Sequence, residues 1–113
     1  MMIPNIEQAK QKSLTPVGVR AGADEGDPQV SIAELYEDGV SDVGIWECTP
    51  GSWPIENRAD TETVYVLSGE GIIENADGSS LHISEGSVFV LPKGWSGRWR
   101  ITKTLRKVYV IVS

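Results

Sequence analysis

The chain has 113 residues, of which 40% are hydrophobic and 23% charged, and this is the length and composition of one ordinary globular domain. Twelve glycines and six prolines exclude a helical bundle, and a net charge of −6 disfavours nucleic acid as a partner. With one cysteine, no apolar run of membrane-span length and no signal-like N-terminus, the sequence predicts a cytoplasmic, all-β protein with neither a disulfide nor a membrane partner.

The first 28 residues resemble an arm more than part of a domain. Residues 3–14 could form a short helix without a clear apolar face, and the Gly-, Asp- and Pro-rich stretch over residues 21–28 then interrupts regular structure. We therefore predict an N-terminal arm over residues 1–28 and a single domain over residues 29–113. Such an arm could pack on a second copy, and we expect a homodimer.

From Gln29 onward, short apolar runs alternate with turn residues at intervals of about eight to twelve residues. This spacing is typical of a β-sandwich or barrel. The predicted strands are residues 30–36, 43–48, 62–67, 71–75, 81–83, 87–91, 95–101 and 107–112.

Side-chain alternation assigns the faces of three of these strands. Trp46 is predicted to point inward. Trp95 and Trp99 are predicted to point inward while the arginines between and after them point outward. The last strand is ambiguous, and its pattern favours Val108 and its alternating neighbours in the core with Lys107 at the surface.

The charges are unevenly distributed along the chain. Residues 1–62 carry 12 acidic and 4 basic residues, whereas residues 63–113 carry 4 acidic and 6 basic residues, all six between Lys93 and Lys107. This basic segment is either a stripe that attracts an anion or, as we favour, a strand face balanced by the acidic first half.

Two stretches resemble the paired motifs of the cupin superfamily. The first contains Glu62 followed after six residues by Gly69, which is the spacing at the end of the first cupin motif. The second is Gly86, five residues, then Pro92 and Gly94, as at the start of the second motif. The resemblance covers roughly residues 30–113 and implies a double-stranded β-helix, that is, a jelly-roll barrel whose interior can hold a small ligand.

The resemblance also implies where metal ligands would stand, and this chain departs from the pattern there. Two positions of the first motif that hold histidine in metal-binding cupins are Arg58 and Glu56, or Asn57 and Ile55, depending on the alignment; the histidine of the second motif falls at Gly97. His82, the only histidine, lies outside both motifs and is expected at the surface. Since transition metals need three or four protein ligands, we expect neither a metal site nor another cofactor.

Within the superfamily, the chain resembles small single-domain cupins related to (S)-ureidoglycine aminohydrolase and to an ethanolamine-utilisation cupin. Residues 44–51, residues 62–69 and Trp99 with residues 106–109 carry this likeness. It implies that Lys107 and Tyr109 point into the barrel, against the alternation pattern.

Glu62 is the sharpest candidate for a functional residue, because a carboxylate inside an aromatic barrel must be paired, protonated or bound to a ligand. Its alternative role is an internal ion pair with Lys107 or Arg58. If Lys107 points inward, Glu62, Lys107 and Tyr109 are candidate acid–base residues. Cys48 is expected to be inert core.

The tryptophans either fill the core or form an aromatic cage for a small organic ligand or a cation. The expected ligand-binding residues are Trp46, Glu56, Arg58, Glu62, Trp95, Trp99, Lys107 and Tyr109. Three functions follow: a metal-free cupin that binds a small polar organic molecule, an enzyme, or a non-catalytic dimer or assembly module. The enzyme would be an acid–base isomerase or epimerase, or an aminohydrolase-like hydrolase with an atypical metal site built on Glu56 and Glu62.

Overall fold

A computed structural model describes all residues, Met1–Ser113, and nearly all of its regular structure is β-strand. The helix predicted near the N-terminus is a single 3-10 turn, Ala9–Gln11. No helix is long and apolar enough to cross a membrane. The nine strands are β1 (Thr15–Val19), β2 (Glu25–Gly26), β3 (Gln29–Glu37), β4 (Ser41–Cys48), β5 (Gly51–Ile55), β6 (Thr61–Asn75), β7 (Ser80–Ser84), β8 (Val88–Leu91) and β9 (Gly97–Val112).

Two long strands organise the barrel, and each joins two of the short strands predicted from the sequence. β6 spans the predicted strands 62–67 and 71–75, and β9 spans residues 97–101 of the predicted strand 95–101 and all of 107–112. They pair with each other along their length, with register shifts between Val66 and Gly71 where the ladder bends. The first half of β6 also pairs with β8 and its second half with β7.

β9 continues the curled antiparallel sheet on its other edge, where its first half pairs with β5 and its second half with β4. β4 then pairs with β3, and β3 with β1. The sheet closes around one interior, and the architecture is the predicted jelly-roll barrel. β5 was not predicted, since it contains Pro54, and sheets tolerate proline only where its missing N–H leaves no ladder bond unmade.

Part of the segment predicted as an arm belongs to this sheet. β1 pairs with β3, and the two residues of β2 pair with β5. Pro28 is fully buried against Gly51, where an added Cβ would lie 2.6 Å from the proline ring. Residues 15–28 are therefore part of the barrel wall, and only residues 1–14 precede the first strand.

The interior confirms most of the predicted strand faces and corrects one. Trp46 and Trp99 point inward. Lys107 and Tyr109 are also interior, at 5% and 4% exposure, so the alternation pattern was wrong for β9 and the orientation implied by the cupin resemblance is confirmed. The pattern failed because β9 is apolar on both faces, and the group that compensates the buried lysine lies 45 residues away in the chain.

The basic segment is a balanced strand face, as favoured from the sequence. Arg98 binds Asp24, and Arg100 binds Glu25 and Glu74. Lys103 and Arg106 pair with Glu70 and Glu47, and Lys107 with Glu62. Of its six basic residues only Lys93 forms no ion pair, so the segment is not a stripe that attracts an anion.

Candidate functional site

A cavity of about 230 Å³ lies within the barrel. Its walls come from alternate residues of β4 and β9, which pair Trp46 with Lys107, and from β3, β5, β6 and the loops beside them. Twelve residues line it: Arg20, Ile32, Asp42, Trp46, Trp53, Ile55, Arg58, Glu62, Trp99, Lys107, Tyr109 and Ile111. Six of the eight predicted ligand residues line this space, together with three further charged or aromatic residues, Arg20, Asp42 and Trp53.

Glu62 is the charged centre of the cavity and binds two cations at once. Its Oε2 accepts a hydrogen bond from Lys107 Nζ at 2.6 Å, and its Oε1 lies 3.0 Å from an Nη atom of Arg58. The Glu62 and Lys107 side chains are 5% and 7% exposed, so these are interior ion pairs. Both ion-pair partners considered from the sequence are thus present together.

Arg58 lies in the loop before β6, and the loop between β8 and β9 holds its backbone in place. The Arg58 backbone N–H donates to the Trp95 carbonyl, and its own carbonyl accepts from Gly94. Its guanidinium also contacts the carboxylate and carbonyl of Asp60. A cation fixed in this way presents a set geometry to Glu62.

The Lys107 ammonium lies over two indole rings, 4.3 Å from the Trp46 centroid and 4.5 Å from that of Trp99. Burial lowers the pKa of Lys107, and the neighbouring Glu62 carboxylate opposes that change. The ion pair and both ring faces therefore stabilise the charged amine in a site poor in water.

Three tryptophans form the aromatic wall, with ring centroids 6.0–6.1 Å apart. Trp53 and Trp99 are stacked at an interplanar angle of 13°, and Trp46 is inclined to both. Trp53 is 2% exposed and also belongs to the core cluster. These rings both fill the core and line the cavity.

Tyr109 takes part in a separate polar cluster, which the sequence analysis missed. Its hydroxyl donates to Glu34 Oε2 at 2.9 Å, and Asp42 lies beside the same groups with a buried Oδ1 that has no hydrogen-bond partner. Burial and then Glu34 raise the pKa of Asp42, and burial raises the pKa of Tyr109. Alternation from Trp46 places Asp42 on the inward face of β4, and this signal could have identified it.

Arg20 is the second residue missed, and it follows β1 within the segment predicted as an arm. Its guanidinium lies 5.0 Å from the Trp53 centroid and donates to the Ala21 carbonyl, and it forms no ion pair. Burial lowers its pKa. No local motif marks Arg20, because only the pairing of β1 with β3 brings it to the cavity.

Two predicted site residues lie outside the cavity. Glu56 is exposed on the surface, because the chain turns outward between β5 and Arg58. Trp95 packs on the core cluster from another side, and its Nε1 donates to Asn75. His82 is exposed, as expected, and Cys48 is fully buried with its pKa raised to about 11 by burial, which fits inert core.

The side chains do not fit the metal that the barrel holds in metal-binding cupins. No three His, Cys, Asp or Glu residues lie close enough together to hold an ion. Glu62 is already bound to Arg58 and Lys107, and those cations would repel a metal ion at its oxygens. Glu56 and Glu62 do not form the atypical metal site considered for a hydrolase, because Glu56 lies outside the cavity.

Comparison with known proteins gives one matching family and several solved structures of similar fold. A family model described as the EutQ-like cupin domain matches residues 35–109. No curated protein matches the chain significantly. Among solved structures, a protein of unknown function from Pseudomonas syringae pv. tomato has a TM-score of 0.83 at 23% identity, over 91% of this chain and 46% of its own.

Two further structures are described as ethanolamine-utilisation or EutQ proteins. The one from Salmonella typhimurium, a putative ethanolamine utilization protein, has a TM-score of 0.69 at 21% identity, over 90% of this chain and 95% of its own. The Clostridium difficile EutQ protein has a TM-score of 0.66 at 22% identity, over 75% of this chain and 63% of its own. At these identities the likeness shows the fold alone.

Proposed function

The chain belongs to the EutQ-like cupin family, and from that premise we propose that it binds a small polar organic molecule inside its barrel, without a resident metal ion. The observation that carries this proposal is the cavity of about 230 Å³ in which the ion-paired Glu62 meets an aromatic wall. Pockets for small molecules combine apolar walls with a few fixed polar groups in this way.

The cost of the buried charges supports a role beyond stability. Ion pairs removed from water are often no more stabilising than apolar residues of similar volume. Here Lys107, Glu62 and Arg58 form ion pairs with one another, and all three also line the open cavity. The Lys107 ammonium lies over two indole rings as well. Such preorganised groups can bind a polar ligand with little loss of side-chain entropy.

The same groups give less support to acid–base catalysis. Tyr109 donates to Glu34, not to Glu62 or Lys107, and its raised pKa makes it a weak acid near neutral pH. Lys107 is held by Glu62 and two rings. The isomerase or epimerase, the homodimer and the assembly module remain predictions.

The proposal is tested by thermal unfolding with a panel of small acids, amides, alcohols and amines, using wild type, Glu62→Gln and the matched control Glu56→Gln. A ligand that binds only the folded protein raises its Tm by an amount that grows with the logarithm of the ligand excess over Kd. We expect some compounds to raise the Tm of wild type and Glu56→Gln, and to lose that effect in Glu62→Gln.

A second pair of variants keeps the test sharp if Glu62→Gln folds poorly. Trp46→Phe alters the cavity wall, whereas Trp95→Phe makes the same change outside it. Ligand-induced shifts that fall in Trp46→Phe but not in Trp95→Phe support the proposal. Equal responses in both pairs of variants, or no responding compound, would contradict it.

A further inference from the structure

Arg20 is a cation at the cavity with capacity to bind an anion. The other two cations of the cavity already have carboxylate partners, Lys107 with Glu62 and Arg58 with Glu62 and Asp60. Arg20 has no ion pair; its contacts are the Ala21 carbonyl and the face of Trp53. A guanidinium carries five N–H donors in a planar fork, so donors of Arg20 remain for a ligand.

The aromatic wall disfavours a cationic ligand, although the sequence left that choice open. Cation–π recognition needs a free ring face. The chain's own ammonium lies over Trp46 and Trp99, and its own guanidinium over Trp53. A ligand amine would therefore compete with Lys107 and Arg20 for the same rings and be repelled by both.

The acidic groups do not reverse this balance near Arg20. Glu62 is shared between two cations. Asp42 also lines the cavity, but it lies beside Glu34 and Tyr109, and burial together with Glu34 raises the pKa of its carboxyl, which weakens it as a counter-charge. The region around Arg20, Arg58 and Lys107 thus carries more positive than negative charge.

We infer that the ligand is an organic anion with an apolar body, whose carboxylate binds Arg20 while its body lies along the aromatic wall; this rests on the proposed binding function. Seven of the twelve lining residues are hydrophobic, so the wall suits the apolar body of such a ligand. Arg20 is then the residue that determines specificity for charge.

The test uses three probes of nearly equal shape and different charge: benzoate, benzamide and benzylamine, which is protonated at neutral pH. Binding is followed by the four indole N–H signals in nitrogen-15 NMR spectra. Those of Trp46, Trp53 and Trp99 report on the cavity, and that of Trp95, bonded to Asn75, is an internal control. We expect benzoate to shift the cavity signals at the lowest concentration and benzylamine at the highest.

Variants at Arg20 test whether this residue discriminates between ligands of different charge. Arg20→Gln should weaken benzoate binding at least about tenfold, because a hydrogen-bonded charge pair is lost, and leave benzamide nearly unchanged. Arg20→Lys should restore part of the affinity. Lys93→Gln, at an exposed lysine without an ion pair, makes the same change of net charge and should have no effect.

Each other result overturns a defined part of the argument. Stronger binding of benzamide or benzylamine than of benzoate would reject an anionic ligand while leaving a binding function intact. A benzoate preference that persists in Arg20→Gln would reject Arg20 as its cause. If none of the probes shifts a cavity signal at millimolar concentration, the binding function fails together with the inference.

Discussion

Two aspartates of neighbouring positions on the β3–β4 hairpin have opposite electrostatic environments. Asp42 is next to Glu34 and partly removed from water, and both effects raise the pKa of its carboxyl. Asp38 accepts backbone hydrogen bonds from Ser41 and Val40, which lower the pKa of its carboxyl. Relative to the unfolded chain, the folded protein therefore disfavours the ionised form of Asp42 and favours the ionised form of Asp38.

This difference predicts opposite pH dependences for Asp42→Asn and Asp38→Asn. A raised folded pKa means that the native state binds more protons, so Asp42 costs stability as the pH rises above its unfolded value of about 4. Asp42→Asn should therefore be more stable than wild type at pH 7, and the advantage should vanish toward pH 4. Urea unfolding at the two pH values measures it.

Asp38→Asn should behave in the reverse sense. A lowered folded pKa contributes stability above the unfolded pKa, and that stability is lost as the pH falls through the folded value. The variant should be less stable than wild type at pH 7 and approach it in acid. The same sign for both variants would contradict the assigned environments.

At this scale, sequence reasoning found the residues that stand in recognisable patterns. Glu62 and Arg58 lie at motif positions, and Trp46 and Trp99 alternate with polar neighbours. Arg20 stands in no pattern. The local pattern placed Lys107 at the surface, because the ion pair that permits its burial is made across the barrel and is not visible in the local sequence.

Among the elements, β6 shows how one strand can serve two parts of the barrel. Its register shifts three times between Val66 and Gly71, and Gly69 at this bend has φ +93°. A Cβ at Gly69 would lie 2.1 Å from the Thr104 carbonyl oxygen and 2.6 Å from Leu105 Cα. The bend therefore requires glycine for both its backbone angle and its contact with β9.

Gly69→Ala should cost at least about 3 kcal/mol, because the left-handed angle and the backbone contact both oppose a side chain. Gly78→Ala is the matched control, since Gly78 has φ +90° but nothing within 4 Å of an added Cβ. It should cost only about 1 kcal/mol for the angle. Similar losses in chemical unfolding would show that the bend is not closely packed.

The same bend explains what sequence patterns could recover of the elements. The sequence predicts two strands, 62–67 and 71–75, with a break at Ser68 and Gly69, because glycine with a polar neighbour is a turn signal. The chain instead continues as one strand through a bulge. The positions of most strands and the inward faces of Trp46 and Trp99 were predictable. The continuity of β6 depended on its pairing with β9, which local sequence does not show.

For the whole molecule, the uneven charge distribution holds the segment between β1 and β3 on the barrel. Asp24 makes a two-fold contact with Arg98 at 2.7 and 2.8 Å, and Glu25 lies 2.5 Å from Arg100. The Asp24 N–H also donates to the Ser52 carbonyl. Ion pairs between acids of the first half and bases of the second half thus hold the segment that brings Arg20 to the cavity.

Because these pairs are partly exposed, salt should weaken them. Exposed ion pairs are weak and screened by salt, so hydrogen exchange at residues 20–28 should accelerate several-fold between low and molar salt. The hairpin at residues 37–41 is a suitable internal control, since Asp38 secures it through backbone N–H groups without an ion pair. Exchange that accelerates equally in both regions would indicate general destabilisation. Exchange that is unchanged at residues 20–28 would mean that the burial of Pro28 and the β-ladders, rather than the ion pairs, hold Arg20 at the cavity.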